Sequence, residues 1–252
     1  MVYEPRVYRS RHSEKDLCRF RVAVDETDLD IAVKKDRYTG QIRDMVEQLV
    51  QKERQVLQEY IKKDPVFLRS LEPHQPLTGA PFTVVEMCEK SRLAGVGPMA
   101  AVAGLFAELA GKLLARYSRD VIVENGGDIW LKTSRARNVA IYAGVSPFSY
   151  RVGLEIRPVQ TPLGICTSSG TVGHSLSFGR ADAVVVLAPS AVLADAVATA
   201  ACNMVQEAVD LKRAVEFALA VPGVSGAVAI MGDRIAAVGR VKLVPLEFPQ
   251  EC

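Results

Sequence analysis

Residues 182–205 place the tightest limit on what this chain can fold into. The run from Asp182 to Pro189 predicts a buried strand, and Ser190 follows where a hydroxyl can cap the next helix. Polar residues form one narrow line on that helix, at Asp195, Thr199, Cys202 and Gln206. The other faces of the helix are apolar, which predicts packing on nearly every side. An unpaired buried charge is very costly, so we expect Asp195 to have a partner.

Composition and charge exclude several classes of protein. A formal net charge of +2 lacks the basic footprint of a protein with an obligate nucleic-acid partner. The longest apolar run, Ala191–Cys202, is interrupted by Asp195 and is too short to cross a bilayer. Five scattered cysteines without a C-x-x-C pair, and no apolar signal-peptide core near Met1, are typical of a reducing compartment. We therefore expect a cytoplasmic protein without membrane contact.

The first third of the chain reads as a hairpin followed by a long helix. Alternating apolar residues over 20–33 predict two strands with one buried face. Helical spacing over Gly40–Lys63 predicts an amphipathic helix that Asp64-Pro65 ends. Turn residues fill 67–81, and Phe82–Cys88 is predicted as a strand. The chain is interpreted as a single domain over 1–252, or as two closely packed halves connected near 67–81.

Short strands and helices follow in the rest of the chain. Pro98 opens a helix predicted to reach about Tyr117, whose small residues suggest close approach to a sheet or a second helix. The sequence Asn125-Gly126-Gly127-Asp128 predicts a hairpin turn. Further elements are predicted as strands at 139–145, 152–156, 164–167, 227–231 and 235–238 and a helix at 211–219. This order indicates an α+β fold with a mainly antiparallel sheet and packed helices.

A dinucleotide site is one interpretation of the glycines after residue 94. The sequence Gly95-Val-Gly97-Pro-Met-Ala100 fits G-x-G-x-x-A and opens a helix, and Glu124 ends the next strand at about the position of a ribose-binding acid. Residues 89–94 separate these glycines from the predicted strand, whereas the fingerprint should begin where the strand ends. An NAD(P)-binding oxidoreductase is therefore the weaker alternative.

A set of motifs farther along the chain occurs in an order found in one family. The motifs are Asn125-Gly126-Gly127-Asp128, Thr167-Ser168-Ser169-Gly170, His174 and the Ala-Asp-Ala-Val-Ala-Thr segment of Leu193–Ala200. Together with the glycine-rich helix start they cover roughly Gly95–Asn203, somewhat under half of the chain. In this order and spacing the set resembles the ApbE family, the FAD:protein FMN transferases.

The resemblance implies an ApbE-like fold related to the T-folds, and transferase-like or pyrophosphate-cleaving activity on a flavin nucleotide. It implies a small-molecule nucleotide ligand, FAD or FMN, together with Mg²⁺ held by Asp195 and Thr199. It also implies catalytic roles for His174 and Asp195. The cofactor-binding residues that it implies are Gly97, Asn125, Gly126, Gly127, Asp128, Thr167, Ser168, Ser169 and Gly170.

Elementary chemistry is consistent with these roles. Asp195 and Thr199 stand one helical turn apart, which suits two oxygen ligands of a hard cation whose other sites go to water and phosphate. An imidazole such as that of His174 can act as a general acid or base near neutral pH. A second interpretation remains open, in which Asp195 and Thr199 only form hydrogen bonds to a neighbouring loop.

The chain also departs from the family pattern. The lysine of the family's Ala-Lys-Gly is absent from Met99–Gly104, and the His-x-Ile-Asp-Pro-x-Thr-Gly segment is reduced to His174–Arg180. These departures indicate a divergent branch, in which Arg180 is either a replacement phosphate contact or a plain surface residue. The alternative to a transferase is a non-catalytic or differently specialised protein that binds a flavin, purine or pterin. Smooth helices and hairpin edges favour a homo-oligomer.

Overall fold

The computed structural model describes residues 15–172 and 177–246. The strands, in chain order, are β1 (Leu17–Val24), β2 (Thr27–Lys34), β3 (Val121–Asn125), β4 (Asp128–Lys132), β5 (Arg137–Ala140), β6 (Val152–Ile156), β7 (Leu163–Ser168), β8 (Ala183–Ala188), β9 (Gly226–Met231), β10 (Arg234–Gly239) and β11 (Leu243–Pro245). The α-helices are α1 (Gly40–Lys63), α2 (Pro65–Arg69), α3 (Phe82–Ala94), α4 (Val102–Leu114), α5 (Ala191–Asn203) and α6 (Leu211–Ala220).

The strands form two antiparallel sheets. The larger sheet has eight strands in the order β1-β2-β3-β4-β7-β8-β9-β10, and the smaller has three in the order β11-β6-β5. Each pair of neighbouring strands in both sheets is antiparallel. The predicted α+β class with a mainly antiparallel sheet is therefore confirmed.

The eight-stranded sheet is covered on both faces. Val184 and Val186 of β8 point into the core shared with the helices, whereas Val185 and Leu187 point into the core shared with the small sheet. Because successive side chains of a strand alternate between faces, a strand that is buried on both sides needs the continuous apolar run seen in β8. Within the described residues, no single helix is long and apolar enough to span a membrane; α3 and Pro98–Leu114 meet that criterion only as a pair bent by 100°.

The long helix α1 has the predicted bounds. Thr39 caps its first turn by accepting a hydrogen bond from the Ile42 N–H (3.4 Å), and Pro65 begins the next helix. Ser190 caps α5 in the same way and accepts from the Leu193 N–H (3.4 Å). Both helix starts are encoded by hydroxyl residues that lie next to them in the sequence.

The strand predicted at Phe82–Cys88 is wrong, because these residues begin helix α3. Its buried residues recur at helical spacing, as Thr83, Val84, Met87, Cys88, Ser91 and Ala94. Gly95 closes α3 with a positive φ of 72° and does not follow a strand. The strand–turn–helix context that a dinucleotide fingerprint requires is therefore missing, which contradicts the NAD(P) alternative.

Two other predicted elements are shorter than expected. The strand predicted at 139–145 ends at Ala140, and the helix predicted to reach Tyr117 ends at Leu114. Pro98 opens a short 3-10 turn, Pro98–Ala101, which precedes α4. The first helical turn is therefore wound more tightly than an α-helix before the main helix begins.

Asp120 connects the start of β3 with the end of β4, at the end of this hairpin that lies farthest from the Gly126-Gly127 turn. Its carboxylate accepts from the Thr133 hydroxyl (2.9 Å), the Ser134 N–H (2.8 Å) and the Ser134 hydroxyl (2.6 Å), and the Arg137 guanidinium lies 3.2 Å away. Burial by itself would raise the pKa of Asp120, but the hydrogen bonds from Ser134 and Thr133 outweigh burial and lower that pKa below 3.8. The folded state therefore favours the charged carboxylate.

Asp120→Asn is expected to lower the free energy of unfolding by about 2 kcal/mol at neutral pH, because hydrogen bonds to a charged acceptor are lost. The contribution of a carboxylate with a lowered folded pKa is complete above the ordinary value of 3.8 and disappears as pH falls through the folded pKa. Urea unfolding across pH should thus show the wild type and the variant converging in acid. The control is Asp36→Asn, at an exposed position. If the difference in free energy of unfolding between the wild type and Asp120→Asn stayed constant in acid, the stabilising role of the charged Asp120 carboxylate would be contradicted.

Candidate functional site

The predicted loops meet at one end of the eight-stranded sheet. The β3–β4 turn follows Asn125, and the pairing of Ile129 with Ile165 brings the end of β7 beside the start of β4. A side chain added at Gly127 would lie 3.8 Å from the Thr167 carbonyl oxygen. The Asn-Gly-Gly-Asp turn and the Thr-Ser-Ser-Gly loop are therefore neighbours, as the resemblance implies.

The Gly126-Gly127 turn is built from positive-φ backbone. The φ angles are 68° at Gly126 and 105° at Gly127, which only glycine adopts without strain. The Gly127 N–H donates to Glu124 Oε1 (2.7 Å), and Asn125 and Asp128 face each other across the turn. Gly126 is exposed and Gly127 half-buried, so part of this backbone is open to a ligand.

Two carboxylates lie beneath these loops. Asp128 Oδ1 accepts from the Thr167 N–H (3.2 Å), and Asp195 Oδ2 accepts from the Gly104 N–H (2.8 Å). Asp128 is 6 % exposed and Asp195 8 %. The Asn125 amide donates to the Ala103 carbonyl oxygen (3.1 Å), which ties the glycine turn to the start of α4. The helix carboxylate and the turn carboxylate thus form a common floor.

Burial makes both carboxylates of this pair harder to ionise. Burial raises the pKa of Asp195 to about 7. Burial, and next the charge of Asp195, raise the pKa of Asp128 well above its usual range. Across residues 15–172 and 177–246, neither carboxylate has a cationic side-chain partner. A positive charge bound between them would remove the repulsion and stabilise both anions.

The remaining polar residues of α5 continue this floor. Thr199 is half-buried, one turn after Asp195. The Ser168 hydroxyl contacts the Cys202 thiol, which brings the 167–170 loop over the same face of α5. Gln206 does not belong to this line because α5 ends at Asn203, which corrects the predicted four-residue stripe.

The hydroxyl of Ser169 is used largely within its own loop. It accepts from the N–H groups of Thr171 (3.1 Å) and Val172 (2.9 Å) and contacts the Ala181 carbonyl oxygen at 3.4 Å. Gly170 is exposed, and its N–H donates to the same carbonyl (2.9 Å). Ser169 therefore shapes the loop, while Thr167, which is half-buried, lies at the rim beside Gly127.

Two implied residues lie outside this group. Gly97 is buried, its N–H donates to the Leu71 carbonyl (2.9 Å), and an added Cβ would lie 1.8 Å from the Ser70 carbonyl oxygen. Packing against the 70–71 backbone thus explains why position 97 has no side chain. His174 lies outside the described residues.

Sequence reasoning missed Glu108, which is buried on α4. Its Oε2 accepts from the Ala191 N–H (2.6 Å), the Ser190 hydroxyl (3.0 Å) and the Val192 N–H (3.3 Å), so it caps the start of α5. Asp195 of α5 binds the Gly104 N–H at the start of α4 in return. The single carboxylate of a mostly apolar helix was the available signal, and the same signal singled out Asp195.

The oxygen atoms available around Asp128 and Asp195 limit which ligands can bind there. Within the described residues, no three His, Cys, Asp or Glu side chains are grouped to hold a metal ion. One oxygen of Asp195 is already engaged by Gly104, as the hydrogen-bonding interpretation expected. A cation on Asp128 and Asp195 would therefore draw its other ligands from Thr199, backbone carbonyls, water or a bound phosphate. That mixture of oxygen donors is typical of Mg²⁺.

Comparison with known proteins shows the family of this chain. The model of the family described as "AbpE bacteria" matches residues 9–235. A UPF0280 protein of Methanopyrus kandleri is 43 % identical over 229 residues, covering 87 % of this chain and 90 % of the relative. A UPF0280 protein of Methanocella arvoryzae is 45 % identical over 186 residues, covering 73 % and 76 %.

Two solved structures share the fold at low sequence identity. The apo flavinyl transferase ApbE of Pseudomonas stutzeri superimposes with a TM-score of 0.59 at 13 % identity, covering 88 % of this chain and 94 % of that one. The flavin transferase ApbE of Vibrio cholerae gives a TM-score of 0.54 at 14 % identity, covering 88 % and 96 %. The likeness extends over most of each chain and establishes a common fold.

Proposed function

This chain belongs to the AbpE bacteria family, as a divergent branch with the ApbE fold, and on that premise we propose that it binds a flavin nucleotide together with Mg²⁺. The observation that carries the proposal is the neighbouring pair of buried carboxylates, Asp128 and Asp195, beside which the described residues place no cationic side chain. A divalent cation resolves this arrangement, and the phosphates of a nucleotide supply the oxygen ligands that the protein lacks.

The loops above the carboxylates suit a nucleotide. Gly126 and Gly127 present backbone without side chains, so a flat ring or a phosphate can approach closely. Thr167 adds a hydroxyl at the same rim, and Thr199 adds another from α5. Gly126, Gly127 and Thr167 would hold the flavin nucleotide, and Asp195 with Thr199 would contribute to binding the Mg²⁺ that neutralises its phosphates.

The residues of the chain have distinct parts in this proposal. Asp128 and Asp195 would hold the cation, with Thr199 as a third oxygen donor. The N–H groups of Thr167 and Gly104 keep the two carboxylates oriented, so the floor is preorganised before a ligand arrives. Bound Mg²⁺ would supply charge neutralisation of a pyrophosphate during its cleavage. His174 remains the sequence-based prediction for the acid or base of such a step.

FAD and Mg²⁺ added together are expected to raise the melting temperature. Binding to the folded state alone at about 100 times Kd adds about 2.7 kcal/mol, which corresponds to several degrees. FAD without Mg²⁺, with EDTA present, should give a clearly smaller rise, and NADH should give none. No rise with FAD and Mg²⁺, or an equal rise with NADH, would refute the proposal.

Measuring the release of AMP from FAD distinguishes flavin binding alone from transferase-like chemistry. FAD is incubated with Mg²⁺, the protein and candidate acceptor proteins, and AMP is measured by chromatography. AMP formation that needs both the protein and Mg²⁺ supports pyrophosphate cleavage. A melting shift without AMP assigns the site to flavin binding, the alternative that the missing lysine and the reduced 174–180 segment favour.

A further inference from the structure

A second pocket lies beside the proposed flavin site; it shares Gly170 with the implied cofactor loop but does not include the carboxylates Asp128 and Asp195. Its volume is about 530 Å³, and its lining includes two arginines, Arg180 and Arg234, and two carboxylates, Asp182 and Asp233, together with Thr171, Ala208 and Met231. The register of β7, β8 and β9 places these residues at the same end of the sheet as the glycine turn. Thr171 belongs to the loop that borders the proposed flavin site, so the two hollows are neighbours.

Asp182 holds together the two loops that form this pocket. Its Oδ1 accepts from the Thr171 hydroxyl (3.0 Å), and its Oδ2 accepts from the Gly232 N–H (2.7 Å). The Asp182 N–H in turn donates to the Ile230 carbonyl (2.9 Å). The loop after β7 and the β9–β10 turn are thus tied together through one side chain, and both of its oxygens already have donors.

The guanidinium groups of Arg180 and Arg234 line this pocket and are available to a ligand. The Arg180 N–H donates to the Val205 carbonyl (2.7 Å), which positions the base of the side chain, while its guanidinium contacts no carboxylate among the described residues. The only ion pair of Arg234 in that part of the chain is with Asp233 at 3.6 Å, and these side chains are 73 % and 82 % exposed. Exposed pairs of this kind contribute little, so Arg234 can exchange its partner readily.

From this arrangement we infer that the pocket binds a phosphate monoester of a small organic molecule. Guanidinium groups grip phosphate oxygens in a bidentate manner, and two of them reach this pocket from separate segments. The volume falls within the range of small-molecule sites and exceeds what a bare phosphate needs. Ala208 and Met231 offer apolar surface to the organic part. The inference does not rest on the flavin proposal, because it uses neither Asp195 nor Asp128.

The test is a titration with phenyl phosphate and with inorganic phosphate at constant ionic strength, followed by calorimetry. Phenyl phosphate is expected to bind saturably, and more tightly than inorganic phosphate. Arg180→Gln and Arg234→Gln should each weaken that binding about tenfold, because each removes one of the two guanidinium groups. Neither side chain has a packing role, so the melting temperatures should stay close to that of the wild type.

Arg240→Gln is the matched control, since Arg240 is exposed, lies outside the pocket and carries the same charge. Its phenyl phosphate affinity should remain that of the wild type. An absence of saturable binding would overturn the inference by showing that the pocket is not a site. An equal loss of affinity in Arg240→Gln would overturn it too, because the binding would then depend only on the overall charge of the protein. Equal affinity for the two probes would overturn the assignment to a monoester and leave a site for free phosphate.

Discussion

Asp195→Asn is expected to abolish the Mg²⁺-dependent part of flavin binding while the protein stays folded. The amide retains an oxygen that can accept from the Gly104 N–H, so the contact between α5 and α4 is preserved. The substitution removes one of two facing buried charges, so the protein without ligand should be at least as stable as the wild type. Loss of a buried charge partner weakens binding by about 3 kcal/mol, or about a hundredfold in Kd.

The measurement is a pair of melting series, one with FAD and EDTA and one with FAD and Mg²⁺. In the variant the two series should coincide, whereas in the wild type the Mg²⁺ series melts higher. Asp44→Asn is the control, because it makes the same charge change on the exposed face of α1. An Mg²⁺ effect of wild-type size in Asp195→Asn would eliminate the carboxylate pair as the metal site.

Glu108→Ala is expected to lower the free energy of unfolding by about 3–4 kcal/mol. The substitution leaves the buried N–H groups of Ala191 and Val192 without their acceptor, and each such loss costs about 1–3 kcal/mol. The Glu108 carboxylate also pairs with Lys112 and lies at the positive end of the α5 dipole. Urea unfolding at neutral pH measures the change, and Glu108→Gln should recover part of it because the amide oxygen can still accept.

Glu216→Ala is the matched control for the ion pair. Glu216 and Lys212 also stand one helical turn apart, but their side chains are 57 % and 81 % exposed. Breaking that exposed pair should change the free energy of unfolding by about 0.5 kcal/mol or less. If Glu108→Ala were as mild as Glu216→Ala, capping by Glu108 would not stabilise α5, and the floor of the site would be held by packing alone.

The small residues of α4 are explained by the same contact between helices. A side chain at Gly104 would lie 2.3 Å from the Ala191 carbonyl oxygen and 2.9 Å from Asp195 Cβ. At Gly111 it would lie 2.2 Å from the Trp130 ring. The smooth face predicted from the sequence therefore packs against both a helix and the sheet. This close approach also brings the Gly104 N–H within reach of Asp195.

Several elements were predictable because their signals lie within a few residues of each other. The Asn125–Asp128 turn follows from glycine's access to positive φ, and the start of α5 follows from the Ser190 hydroxyl. The bounds of α1 follow from apolar periodicity and Pro65. The wrong prediction at Phe82–Cys88 also has a local cause. A short apolar run fits a strand and a buried helix equally well, and only the spacing of its buried residues in the structure distinguishes the two.

Residue types and local turns of the candidate site were determined by the sequence itself, whereas its assembly was decided only by the tertiary structure. The glycine turn meets Thr167 because β4 pairs with β7 across the intervening β5–β6 excursion. Glu108 caps a helix that begins 83 residues later in the chain. Local patterns encode backbone conformation over one or two turns. The meeting of Asp128 and Asp195 depends on sheet register and helix packing, which arise from contacts summed over the whole chain.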